Sequence, residues 1–244
     1  MCCRGEVLLM DVAIISDRGL VRQANEDSYI ANPSQGLFVI CDGMGGHRAG
    51  GVASHLVVEV FKNLMASMDG SRPRDILGQC IAEANRLILA RGMENPEWHG
   101  MGTTVTAALL QDKYLTVANV GDSALFLVRG DTIRKITRDH TLAEEMVKDG
   151  LLNPEEIRSS HFNHILTRAL GVEEEVEIDY FEEDLQSGDC MLLCSDGLSD
   201  LLTEADLADI MRQHPDLSEA TRAMLKLALD RGGYDNITVI LVRI

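Results

Sequence analysis

Residues 103–136 read TTVTAALLQDKYLTVANVGDSALFLVRGDTIRKI, and their reading decides the fold class. Apolar and β-branched runs over 103–110, 114–120, 124–128 and 132–136 are strand-like. Gln111-Asp112-Lys113 separates the first pair and Arg129-Gly130-Asp131 the last. Connections this short join antiparallel neighbours and cannot make the long crossover that parallel strands need. The stretch is therefore an antiparallel meander. Upstream, strand-like runs cover 7–16 and 36–41, the second stopped by Gly43, Gly45 and Gly46. Ala53, Leu56, Val57, Val60 and Leu64 then form one helical stripe, and a second helical pattern covers 76–89. Downstream, 140–170 is polar and helical and contains Pro154, as an excursion from the core would. Strands return over 176–181 and 190–195. Thr203 with Asp206 offers a capping-box start to a helix. A last helix covers 218–230, and a strand over 236–243 closes the chain. Strands come in runs rather than in βαβ alternation, which gives an α+β domain.

The chain has 244 residues and a formal net charge of −17, which disfavours nucleic acid or an anionic membrane as partner. Six cysteines show no CxxC spacing, and Cys41, Cys190 and Cys194 lie in apolar runs. Buried, reduced thiols are the expectation, and with them a cytoplasmic location. The adjacent Cys2-Cys3 pair falls in an N-terminal segment, 1–6, expected to be frayed. The most apolar early stretch, 7–15, is interrupted by Asp11 and too short to span a bilayer. From Glu173 to Asp184, acids alternate around Val176, Ile178 and Tyr180, the pattern of an edge strand with a solvated face.

The chemistry is concentrated at strand ends. Asp42-Gly43, Gly121-Asp122, Asp196-Gly197 and Asp235-Asn236 each sit beside an apolar run, and Asn25-Glu26-Asp27 precedes another short strand. Any one of these is an ordinary turn. Together they would bring several carboxylates to one rim, where they repel unless cations lie among them. All-oxygen donors suit Mg²⁺ or Mn²⁺, and zinc-type His/Cys spacing is absent. Arg22, just upstream, could grip a phosphate through paired hydrogen bonds. His47, after the glycine turn, could protonate a leaving group, although a lone histidine is more often structural. P-loop, GxSxG and HExxH signatures are missing.

These residues resemble the metal-dependent PPM protein phosphatases, the type 2C serine/threonine phosphatases, in their compact bacterial form. The resemblance is carried by SDRGLVRQANEDS, ICDGMGGHRAG, GMGTTVTAALL, VANVGDSA, TRDHTL, ILTRALG, CMLLCSDGLSDLL and GGYDNITVILV. It implies two stacked antiparallel sheets flanked by helix pairs, an α-β-β-α sandwich, forming a single catalytic domain over 1–244. A helical flap over about 140–171 would border the site. By motif, Asp42 would bridge two metal ions, with Gly43 contributing its carbonyl and Asp196 and Asp235 the other direct carboxylates. Asp122 with Asp196 would form a third, weaker metal site. Glu26 and Asp27 would hold metal-bound water, Arg22 would bind phosphate, and His47 would be the general acid. The implied reaction is hydrolysis of phosphoserine and phosphothreonine in proteins by water held between two Mn²⁺ or Mg²⁺ ions, opposing a bacterial Ser/Thr kinase in signalling or secretion control. The implied protein is a monomer that works on a cognate kinase and its targets.

One position departs from the family pattern: Ala124 follows Gly121-Asp122-Ser123 where an arginine is usual. Three other readings compete. A phosphatase-like binding domain would have lost metal carboxylates, and none is missing here. A small-molecule phosphohydrolase would keep the site and change the substrate. A calcium-binding module would be stabilised by Ca²⁺ without turnover.

Overall fold

The structure, a computed structural model, describes residues 10–45, 49–65 and 71–244. The chain opens with β1 (Asp11–Asp17), β2 (Ser28–Asn32), β3 (Leu37–Cys41) and the two-residue β4 (Gly43–Met44). Two long helices follow, α1 (Ala49–Met65) and α2 (Pro73–Glu94), and then β5 (Gly102–Thr103). The meander is β6 (Val105–Gln111), β7 (Tyr114–Val120), β8 (Ala124–Arg129) and β9 (Thr132–Lys135). After α3 (Leu142–Lys148) come β10 (Asp179–Asp184), β11 (Cys190–Cys194), α4 (Asp196–Ser199), α5 (Glu204–Gln213), α6 (Leu217–Asp230) and β12 (Ile237–Arg243).

The strands form two five-stranded antiparallel sheets, ordered β1-β12-β11-β8-β9 and β10-β7-β6-β3-β2, with β4 and β5 as a separate ribbon. The meander is split between them. β6 and β7 stay in one sheet, and the Gly121-Asp122-Ser123 turn carries the chain into the other. Three apolar layers result. Phe38, Ile40, Leu115 and Val117 meet Leu125, Leu193 and Ile240 between the sheets. Leu37, Val39 and Cys41, on the other face of β3, pack under Val57 and Phe61 of α1 and Leu77 and Ile81 of α2. On the far side, Leu192, Cys194, Val239 and Leu241 pack under Leu207, Ala220 and Met224 of α5 and α6. β3 is buried on both faces, which is why its sequence is a continuous apolar run and not an alternating one. The sheets are therefore stacked, with a helix pair outside each.

Several expectations are met with shifted limits. The Thr203–Asp206 capping box is present, with the Thr203 amide donating to Asp206 Oδ2 at 2.7 Å and the Asp206 amide to Thr203 Oγ1 at 3.1 Å. β10 is an edge strand, but it begins at Asp179; Val176 and Ile178 instead pack against the α1–α2 layer. Segment 140–171 is only partly helical. α3 is capped by Thr141, whose Oγ1 accepts from the Glu144 amide at 3.3 Å, and gives way at Gly150, which has φ +71°. A 3-10 turn follows at Pro154–Ser159, because proline suits a first turn and not a helix interior. Bridges Thr141↔Leu166 and Thr103↔Leu170 fasten the two ends of the segment. Cys41, Cys80, Cys190 and Cys194 are free and buried, as expected, and Cys2-Cys3 lie outside the described residues. Among the described residues no helix is long and apolar enough to cross a membrane.

Candidate metal centre

All the acidic strand ends arrive at one rim of the sandwich. A cleft of about 450 Å³ there is lined by Arg22, Glu26, Asp42, Gly43, Asp122, Asp196 and Asp235, with His164 and Val172 from segment 140–171 and its border. Asp42 follows β3, Asp196 follows β11 and Asp235 precedes β12, so three strands in two antiparallel sheets deliver carboxylates to one place.

Each group is held from behind. The Asp42 amide donates to Thr104 Oγ1 at 2.9 Å, and its carbonyl accepts from the Thr104 amide at 2.9 Å and Thr103 Oγ1 at 2.8 Å. Gly43 must be glycine, because a Cβ there would lie 2.3 Å from the Gly50 carbonyl oxygen of α1. That close approach seats the helix against β4. Asp122 sits in the turn between sheets, where the Gly121 amide donates to His140 Nδ1 at 3.1 Å and the His140 amide to the Gly121 carbonyl at 3.0 Å. Asp27 Oδ2 accepts from Ser195 Oγ at 2.8 Å and Thr238 Oγ1 at 2.6 Å. Arg22 donates through Nη2 to Asp235 Oδ2 from the cleft mouth, with 53% of its side chain exposed.

The electrostatics are those of a site built for cations. Asp42 and Asp196 are part-buried in the cleft lining, within hydrogen-bonding reach of each other, and loss of solvent pushes both pKa values well above the ordinary carboxylate range. Mutual repulsion adds to this: Asp27, Asp196 and Asp122 act on Asp42, and Asp122, Asp200 and Asp235 act on Asp196. Burial raises Asp27 to about 6, against the hydrogen bonds from Thr238 and Ser195. Burial, then Asp139 and Asp200, raises Asp122 to about 7. Among the described residues, the buried side-chain oxygens with no hydrogen-bond partner are Asp27 Oδ1 and Asp196 Oδ1. Buried polar atoms are almost always satisfied, and an orphaned carboxylate oxygen is costly. Buried carboxylates that lack donors, in an all-oxygen set, fit Mg²⁺- or Mn²⁺-type ions.

The structure thus brings together Arg22, Glu26, Asp27, Asp42, Gly43, Asp122, Asp196 and Asp235, while His47 lies outside the described residues. Ala124 is fully buried in the layer under α5 and α6 and does not line the cleft. Sequence reasoning gave no role to Asn236. Its Oδ1 accepts from the Glu26 amide at 2.8 Å, and its Nδ2 donates to the Arg18 and Ala24 carbonyls, each at 2.9 Å. It is the clasp that holds the loop bearing Arg22 and Glu26 against the Asp235 strand end, and the Asp-Asn pair was its only signal. Ser195 and Thr238, which position Asp27, were equally silent.

A two-sheet sandwich with an arginine at the mouth of a rim of carboxylates is an arrangement whose donors suit divalent cations and whose guanidinium suits an anionic ligand. The protein phosphatase 2C family profile matches residues 14–146. The serine/threonine phosphatase stp of Listeria innocua is 38% identical over 234 residues, covering 93% of this chain and 93% of the relative. The crystal structure of the Mycobacterium tuberculosis serine/threonine phosphatase PstP/Ppp superposes with a TM-score of 0.91 at 37% identity, covering 97% of this chain and 99% of that one. The catalytic domain of PstP in complex with two manganese ions gives a TM-score of 0.86 at 37% identity, covering 96% of this chain and 97% of that one. The chain belongs to the protein phosphatase 2C family.

Proposed function

We propose that the chain is a serine/threonine protein phosphatase, a phosphoric monoester hydrolase for phosphoserine and phosphothreonine proteins, working through the acidic cleft. The observation that carries this reading is the pair of buried, partnerless oxygens on Asp27 and Asp196 among carboxylates that burial and repulsion disfavour as anions. Support comes from the relatives named as serine/threonine phosphatases and from the two manganese ions of the PstP catalytic domain. Asp42, the Gly43 carbonyl, Asp196 and Asp235 would hold two Mn²⁺ or Mg²⁺ ions, and Asp122 with Asp196 a third. When bound, such ions supply Lewis-acid activation of water near neutral pH and offset charge on the phosphoryl group.

The remaining chemistry belongs to the chain. Arg22, half exposed at the mouth, swings from Asp235 to phosphoryl oxygens and stabilises the charge they carry in the transition state. Asp27 is fixed through Oδ2 by Ser195 and Thr238, so its free Oδ1 is an oriented acceptor for the proton of a water. Glu26 lines the cleft and plays the same part there. His47 gives a proton to the departing seryl or threonyl alkoxide, which is a poor leaving group without one. Residues 1–244 act as one catalytic domain, with 140–171 as a flap over the cleft. The protein works as a cytoplasmic monomer against a cognate Ser/Thr kinase and its targets.

The test is phosphate release from a phosphothreonine peptide, set beside a small aryl phosphate, with Mn²⁺ and with chelator. Peptide turnover that requires the metal, and that Asp196→Ala lowers about 10²-fold or more, supports the proposal. Metal-independent release, or an Asp196→Ala protein as active as wild type, refutes it. Turnover confined to the aryl phosphate would refute the protein-substrate half.

A further inference from the structure

Several large apolar side chains left exposed gather at the mouth of the cleft. Leu20 and Val21 run directly into Arg22, and Tyr234 directly precedes Asp235; each of the three is more than 60% exposed. Arg22 and Asp235 both line the cleft and are joined by an ion pair. The two turns that carry them are tied together. The Leu20 amide donates to the Gly233 carbonyl at 2.8 Å. Asn236 Nδ2 donates to the Arg18 and Ala24 carbonyls, on either side of 20–22, each at 2.9 Å. Leu20 lies on Gly233 and the Tyr234 ring lies back over Gly232, where added Cβ atoms would fall 3.2 Å from Leu20 Cγ and 2.3 Å from Tyr234 Cζ. The two glycines thus make room for both side chains on one turn. The flap and its border add Ile165, exposed between the cleft-lining His164 and Leu166, and Val172, exposed and itself lining the cleft. Single exposed apolar residues are ordinary, but a group of them collected round a polar cleft on tied turns marks a contact surface.

We propose that Leu20, Val21 and Tyr234 form a docking surface for the polypeptide on either side of the phosphorylated residue, and that they select substrates with apolar side chains beside it. The proposal rests on the reading of the cleft as a protein phosphatase site. Continuity with the cleft fixes the occupant. A seryl or threonyl side chain is short, so a phosphoryl group that reaches Arg22 brings its own chain neighbours over the residues next to Arg22 and Asp235. Charge argues the same way. The chain carries −17 and the cleft is walled by carboxylates, so acidic flanks are repelled. An apolar flank instead covers surface that Leu20, Val21 and Tyr234 leave in water. A tyrosine, with a large ring and a polar tip, suits such a half-wet contact. Because the tied turns already hold these side chains in place, little ordering is lost when they are covered. The contacts are remote from phosphorus and equal before and during the reaction, so they act on KM and not on kcat.

The experiment compares two phosphothreonine peptides of equal length and charge, one with leucine on both sides of the phosphothreonine and one with serine, beside an aryl phosphate, all with Mn²⁺. The full chain is used as wild type and as the double variant Val21→Ser, Tyr234→Ser, and the oligomeric state of both is measured by sedimentation. The wild type should show a KM about 5–10-fold lower for the leucine peptide, a part of what full burial of such side chains would bring, with kcat alike. In the double variant the difference should vanish because KM for the leucine peptide rises, while the serine peptide and the aryl phosphate turn over as before. A wild type without the preference, or a double variant that keeps it, overturns the proposal and leaves the phosphatase reading standing. A loss of aryl phosphate turnover in the double variant also overturns it, since the side chains would then support Arg22 and not a substrate flank. A wild-type dimer that the double variant turns into a monomer overturns it by making a second copy the occupant. Turnover of the aryl phosphate alone overturns both this proposal and the protein-substrate reading, and no metal-dependent release from any of the three overturns the reading of the cleft as well.

Discussion

Replacing Asp122 by asparagine should stabilise the metal-free protein, and the size of the gain follows from the site. Folding raises the Asp122 carboxyl from 3.8 to about 7, first by burial and then by Asp139 and Asp200. A carboxyl raised in this way binds its proton more tightly in the native chain than in the unfolded one. Native stability is therefore unpenalised below about pH 4 and falls as pH climbs towards 7. Each pKa unit is about 1.36 kcal/mol, so the ceiling of the penalty at pH 8 is about 4 kcal/mol. Asp27, raised from 3.8 to about 6, adds a similar slope over a narrower window. Asp122→Asn removes the first penalty and keeps the shape. With chelator at pH 8, its melting temperature should rise by at most about 8–16 °C, taking 2–4 °C per kcal/mol for a chain of this size. At pH 4 the two proteins should melt together. Under saturating Mn²⁺ the gain should shrink or reverse, since a cation offsets the repulsion that the substitution removes. Scanning calorimetry at the two pH values, with and without Mn²⁺, reads all three outcomes. A variant no more stable than wild type at pH 8 in chelator would refute the idea that uncompensated carboxylates strain the rim.

Other substitutions test separate parts. Arg22→Ala should lower kcat/KM on a phosphothreonine peptide by about 10–10²-fold, less than a fully enclosed donor would cost because the guanidinium is half exposed; Arg22→Lys should recover only part, lacking the fork geometry. Steady-state kinetics that leave Arg22→Ala unimpaired would remove it from phosphate binding. Asn236→Ala deletes three hydrogen bonds and should cost about 3 kcal/mol in urea unfolding, at roughly 1 kcal/mol each. Gly43→Ala puts a Cβ 2.3 Å from the Gly50 carbonyl oxygen, where backbone must shift. It should lose about 1–3 kcal/mol and weaken Mn²⁺ binding in the same titration.

The acids were legible because each stands at a punctuation mark, an apolar run ending in glycine or asparagine. Their convergence was legible only as a motif order. Nothing local says that β1 lies beside β12, with Ser16 opposite Thr238, since that pairing spans nearly the whole chain. For the same reason the residues that hold the acids were hidden: Ser195, Thr238 and Asn236 act on Asp27 and Glu26 across more than 160 positions. The meander was read correctly as antiparallel strands, but its division between two sheets at Gly121 depends on packing both faces of β3, which no strand announces alone. The β4–β5 ribbon, two residues on each side, is shorter than any periodicity can register. Contacts such as His164 with Asp200 exist only because the flap folds back on α4, and the polar sequence of 140–171 carries no signal of where it docks.

The central claim is that Asp42, Asp196 and Asp235 hold divalent ions. The most direct measurement is anomalous diffraction at the manganese edge from crystals of the wild-type protein grown with Mn²⁺. The account expects two strong peaks within coordination distance of these carboxylates, one on each side of Asp42, and their loss in Asp42→Asn. Peaks only elsewhere on the surface, or none at the rim while phosphate release continues, would contradict it.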